Sequence, residues 1–169
     1  SAFHDDIFYK CVVDAYNNEN NTTLSYDVSL TDEQLGKITV LDCNRLDFDD
    51  KISDVSGIEK LVSLENLDLS NNHLVGIDLS KNVFLKKLNL SDNQLTEIDL
   101  SKNVSLKSVS LGYNRLTKID VSENVSLEYL SLSHNQLTEI DVSKNLLLNV
   151  LNLFNNKLTS IDLSKNVSL

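Results

Sequence analysis

The side chains that could do chemistry are few, and most of them recur. Asp78, Asp99, Asp120, Asp141 and Asp162 stand at one constant spacing. Stacked turns of chain would set their carboxylates roughly 5 Å apart, the separation of an acid pair that cleaves a glycosidic bond with retention. A catalytic site is one constellation, however, and this feature returns at every period. Such repetition marks a structural cap: each Asp precedes a short turn, where a carboxylate accepts backbone N–H groups. His4, His73 and His134 are isolated from one another. His73 and His134 fall about three turns apart, too far to share a metal at roughly 4.8 Å per turn. Asp47, Asp49, Asp50 and Asp54 read as a solvated acidic loop rather than a cation site. Cys11 and Cys43 both fall on apolar faces. They could pair in an oxidising setting, but burial as two free thiols is the simpler reading. Two cysteines make no zinc site. No G-x-S-x-G, H-E-x-x-H or glycine-rich phosphate loop occurs. These residues call for no catalysis, no metal and no cofactor.

The elements that must position any site follow from the period. Asn72, Asn93, Asn114, Asn135 and Asn156 keep the same constant spacing, and the same apolar frame surrounds each. Leu64, Leu67, Leu69, Leu74, Ile77 and Leu79 frame the first copy. The later copies keep that frame through Leu153, Leu158, Ile161 and Leu163, and a sixth breaks off at Leu169. This is the leucine-rich repeat, L-x-x-L-x-L-x-x-N-x-L, in a short form. Each Leu-x-Leu is a short strand with one buried face. One strand cannot bury that face alone, so the copies must stack into a parallel sheet over a shared core. The expected fold is α/β: a right-handed solenoid with one parallel β-sheet on its concave face and an irregular or 3-10 convex side. The Asn72 series should be buried, its amides bonding backbone groups at the bend.

The segment ahead of the regular repeats differs. Phe3, Ile7, Cys11, Val12 and Ala15 recur at helical spacing, which predicts a helix over 3–17 and a polar loop over 17–23. A second short helix is expected over 27–34, with Thr31 or Asp32 as its cap. Ile38, Leu41 and Cys43 fit an irregular first repeat, followed by the acidic insertion. The expected division is therefore a helical N-terminal cap over 1–35, an irregular repeat over 36–63 and the regular array over 64–169. Ser1-Ala2 reads as a cloning scar. The chain stops inside a repeat, which reads as a fragment of a longer protein.

Composition agrees. The 169 residues include 31 Leu, 21 Asn and 21 Ser, with no Pro, Met or Trp. That apolar content is too high for disorder. Net charge is −10, and residues 1–59 alone carry −9. An acidic chain without a basic stripe speaks against nucleic acid and anionic lipid. No apolar run is long enough to insert in a membrane as a helix.

The phrases LTEIDLSKN, LTKIDVSEN and LTEIDVSKN resemble the internalin family of bacterial surface proteins. KITVLDCN is similar to the strand of its short-repeat, proline-free subtype, in which a Cys takes the third apolar position. Cys43 matches that position; Leu69, Leu90, Leu111, Leu132 and Leu153 stand there in the other copies. The resemblance implies a secreted or wall-attached binding protein, with a host or bacterial surface protein or glycan as partner. Asn20, Asn21, Asn89, Asn103, Asn124 and Asn166 open Asn-x-Ser/Thr triplets, which are by-products of such a repeat.

The open face of the sheet is where a solenoid meets a ligand. Its outward columns are small and polar in the first repeats, while the later ones gather Tyr113, Tyr129, His134, Val150 and Phe154. Strand spacing puts these within about 15 Å of one another. Aromatic side chains with polar tips make interface anchors. They are the expected partner-binding residues. Two other readings stay open: a targeting module for a missing enzyme such as a cell-wall hydrolase or peptidase, and a wall spacer. The chain is expected as a monomer, or as an end-to-end dimer through its last, incomplete repeat.

Overall fold

The computed structural model describes residues 2–169; Ser1, half of the expected cloning scar, lies outside them. Two helices come first among the described residues, α1 (Asp6–Asn20) and α2 (Asp32–Leu35). Six strands follow: β1 (Val40–Asp42), β2 (Asn66–Asp68), β3 (Lys87–Asn89), β4 (Ser108–Ser110), β5 (Tyr129–Ser131) and β6 (Val150–Asn152). They form one parallel sheet in sequence order. The register is uniform, so Leu41, Leu67, Leu88, Val109, Leu130 and Leu151 lie abreast. Leu69, Leu90, Leu111 and Leu132 are fully buried beneath the sheet, as the period requires. The expected solenoid is the observed fold, and cap and repeats share a single apolar core.

The return arms are turns without 3-10 helix; among the described residues the one 3-10 segment is Ile58–Lys60, in the irregular repeat. So short a repeat leaves each arm too little chain to close a helical turn.

The two helices of the cap depart from their expected bounds. Helix α1 starts later because the Asp5 carboxylate caps the N–H groups of Ile7 and Phe8 at 2.9 and 3.0 Å. It runs on through Asn20, ending where Asn21 adopts a left-handed conformation. Its buried stripe is Phe8, Val12, Val13, Ala15 and Tyr16, whereas Phe3, Ile7 and Cys11 pack only at the margin. Helix α2 is a single turn, set by a capping box between Thr31 and Gln34. The preceding residues form a turn instead, in which the Ser25 hydroxyl donates to Asp27.

Strand β1 is one of the two edges of the sheet, and the cap blocks it. The Glu19 carboxylate accepts the N–H groups of Thr39 at 3.0 Å and Val40 at 2.7 Å. Donors that would template another strand are thereby occupied. Gly57 is the position where the lead-in needs a glycine. Its φ is +100°, and an added Cβ would lie 2.5 Å from the Phe3 ring.

Candidate partner-binding face

Two buried ladders of asparagine hold the strands that carry the face. In the first, Asn114 donates to Leu90 O at 2.9 Å and Leu111 O at 3.1 Å, and its Oδ1 accepts the Leu95 N–H. Asn72, Asn93 and Asn135 do the same in their turns. This is the series expected at the bend, and each member joins two turns.

The second ladder escaped the sequence reading. Asn82, Asn103, Asn124 and Asn145 are completely buried in the return arms. Each amide donates to two carbonyls of the preceding turn; Asn103, for instance, reaches Leu79 O at 3.0 Å and Asn82 O at 2.9 Å. Their Oδ1 atoms have no protein partner. Their recurrence once in every repeat was the available signal. Burial also closes the triplets at Asn103, Asn124 and Asn166 to modification of the folded chain.

At the strand exits the chain takes a conformation that most side chains avoid. Asn71, Asp92, Tyr113, His134 and Asn155 all have φ between 54° and 59°. This turn aims the next residue, the ladder Asn, inward. The N–H groups of the first four bond across to the next turn, as in Tyr113 to Ser133 O at 2.9 Å and His134 to Phe154 O at 2.8 Å. Asn and Asp tolerate the left-handed region, but an ordinary side chain there costs roughly 1–2 kcal/mol. Tyr113 is therefore an unfavourable choice for folding alone.

Tyr113, His134 and Phe154 form one stack. The rings of Tyr113 and His134 are parallel within 11°, with centroids 4.0 Å apart. Phe154 meets His134 edge-on at 5.4 Å. Asn155 Nδ2 lies 2.7 Å from His134 Nδ1 and fixes the imidazole. Tyr113 and Phe154 are exposed, at 53% and 71%. Tyr129 and Val150 are direct partners in the β5–β6 register and are also exposed. The five expected residues thus fall into a ring stack at the strand exits and a pair on the strands.

Part of the expected open surface is shut. Ser70, Ser131 and Ser133 are buried. Adjacent turns approach closely there, and a Cβ on Gly112 would lie 2.9 Å from Ser133 Oγ. The concavity of the face lies among the earlier repeats instead. A groove of about 340 Å³ runs over β1–β4, lined by Asp42, Asn66, Asp68, Lys87, Asn89 and Ser110 among others. Short polar side chains leave that trough, and the aromatic cluster stands beside it as a rim.

The aspartate series behaves as caps. Asp78, Asp99, Asp120, Asp141 and Asp162 accept the N–H of Ser80, Ser101, Ser122, Ser143 and Ser164 at 2.8–2.9 Å. Hydrogen bonds from these serines, side chain and backbone, hold the carboxyls below the usual carboxylate range. A depressed folded-state pKa contributes stability above the unfolded value, and that contribution disappears as pH falls through the folded one. Solvent screens such exposed groups, so the effect is small. Urea midpoints should therefore sag in acid, and an Asp99→Asn/Asp120→Asn double variant should sag less. Equal acid slopes in the two proteins would contradict this reading.

Among the described residues, no group of three or more His, Cys, Asp or Glu is placed to hold a metal ion. No helix among them is long and apolar enough to cross a membrane.

Leucine-rich-repeat profiles match residues 63–82 and 126–150, and a two-copy leucine-rich-repeat profile matches residues 83–124. Together they take in just over half of the chain. The chain belongs to the leucine-rich-repeat family. Within it, this leucine-rich-repeat protein is internalin-like. It is 38% identical over 80 residues to Internalin J of Listeria monocytogenes, covering 47% of this chain and 8% of that protein. The solved functional domain of InlJ from Listeria monocytogenes, which includes a cysteine ladder, superposes with a TM-score of 0.89. Identity there is 36%, over 98% of this chain and 35% of that one. This leucine-rich-repeat chain thus spans about a third of that relative's solved length. Internalin C2 from the same species shares the fold, with a TM-score of 0.67 at 21% identity over 99% of this chain.

Proposed function

We propose that this chain is a non-catalytic binding scaffold of a secreted or wall-attached bacterial protein. Its sheet face docks a protein partner against Tyr113, Tyr129, His134, Val150 and Phe154. The observation that carries this reading is Tyr113 in a left-handed conformation, exposed, and stacked on His134. Asn or Asp serves that backbone position in three of the four other turns, and His134, its stacking partner, in the fourth. Strained residues cluster where function holds them. Exposed Phe154 beside the stack adds apolar surface that folding alone does not require. Rigid ladders preorganise the face, which lowers the ordering cost of association. The internalin-like repeats support the surface setting and the choice of a protein partner.

Truncating the anchors tests the reading. A Tyr129→Ser/Phe154→Ser variant should keep the circular dichroism spectrum of the parent. Its binding to intact host cells, measured with labelled protein, should fall at least tenfold, as loss of two anchors at about 1–2 kcal/mol each requires. Unchanged binding would remove the proposed face.

A further inference from the structure

Helix α1 and strand β1 pass one another in opposite directions, pinned at both ends. Near the helix C-terminus, Glu19 accepts the N–H groups of Thr39 and Val40. At its N-terminus, Asp5 accepts the N–H of Ser53 at 3.2 Å. Cys11 lies eight residues before Glu19, about 12 Å back along the helix. Cys43 lies three residues past Val40, about 10 Å on along the strand. The two cysteines therefore arrive at the same level on facing elements. Cys43 is buried, and half-buried Cys11 packs against the same core. The two thiols are close enough for each to shift the other's ionisation, and both are free.

The environments of the two sulfurs differ in a useful way. The Cys43 hydrogen bond, aided by the charge of Arg45, favours the thiolate of Cys11 and holds its pKa below the ordinary thiol value. Burial pushes the Cys43 thiol strongly up. Cys11 is also the one that solvent reaches. It is thus the nucleophile, and Cys43 is the resolving thiol beside it.

We propose that Cys11 and Cys43 are an oxidisable pair that closes a disulfide between the cap and the first strand. The oxidant is a small disulfide. The Cys11 thiolate attacks one of its sulfurs, forming a mixed disulfide and releasing one thiolate. Cys43 then gives up its proton to that thiolate and attacks Cys11 Sγ, releasing the second thiol. Two protein thiols are oxidised and one disulfide is reduced, so no further reactant is needed. The new bond ties α1 over β1 across the loop that holds α2. Closing a loop of that size removes freedom from the unfolded chain.

Incubation of the folded chain with oxidised glutathione tests the pair. Mass should fall by two hydrogens, with no glutathione retained and no thiol titratable in denaturant. The thermal midpoint should rise by roughly 5–10 °C and return after dithiothreitol. Cys43→Ala should stop at the mixed disulfide on Cys11, whereas Cys11→Ala should acquire no glutathione while folded. Two titratable thiols after prolonged oxidation, a persistent adduct on the parent chain, or a lowered midpoint would each overturn the proposal.

Discussion

Asn103→Asp is expected to destabilise the solenoid by about 3–5 kcal/mol at neutral pH, the scale for an uncompensated buried charge. Asn103 is wholly buried, and its amide donates to two carbonyl oxygens within 3.0 Å. A carboxylate would set a negative oxygen against both and bring no donor. The Oδ1 side of the site offers no relief, because no protein group donates there. The protonated acid can serve one of the two carbonyls, so folding raises the pKa of the new group. For a carboxyl raised on folding, the penalty is full above the folded-state pKa. It shrinks as pH falls toward the unfolded value. Urea midpoints of variant and parent should therefore differ widely at neutral pH and converge in acid. A difference that ignores pH would show that the site admits solvent.

Asn114→Ala should cost about 1–3 kcal/mol through a different route. The Leu95 N–H would lose its side-chain acceptor inside the core. The Leu90 and Leu111 carbonyls lose one donor each but keep the amides of Asn93 and Asn135. The stranded N–H sets the cost, and no charge is introduced, so the loss should be independent of pH. Hydrogen exchange should locate it. The amide of Leu95 should lose protection first, because its acceptor is gone, while the cap around Phe8 and Val12 stays closed. A loss below about 1 kcal/mol would mean that water or a rearranged turn replaces the amide.

These two positions also show what could be read in advance. Asn114 belongs to a series whose inward role follows from the strand that precedes it, and its burial was legible. Asn103 sits in the string Ser-Lys-Asn, whose polarity suggests an exposed turn. Only its recurrence hinted otherwise. The uniform register of β2–β6 was legible for a related reason: the apolar frame is written five times over. The bounds of α1 were not. Phe3 to Ala15 has helical spacing, but the helix is placed by Asp5 on Ser53 and by Glu19 on Thr39, contacts with chain far away in sequence. Alternation marked Tyr129, Val150 and Phe154 as outward positions. The stacking of Tyr113 on His134 depends on backbone dihedrals at the strand exits, which hydropathy does not encode.

Each rung of the ladders hands its hydrogen bonds to its neighbour, as Asn93 does to Leu69 O and Asn114 to Leu90 O. Such a chain is modular in a strict sense. Duplicating or deleting a whole period in the gene leaves every donor matched with an acceptor, whereas an odd-sized change breaks the pairing on both sides of the scar. Lineages can therefore lengthen or shorten the coil freely and vary only what it displays, with the helical cap kept at the start as a fixed foundation.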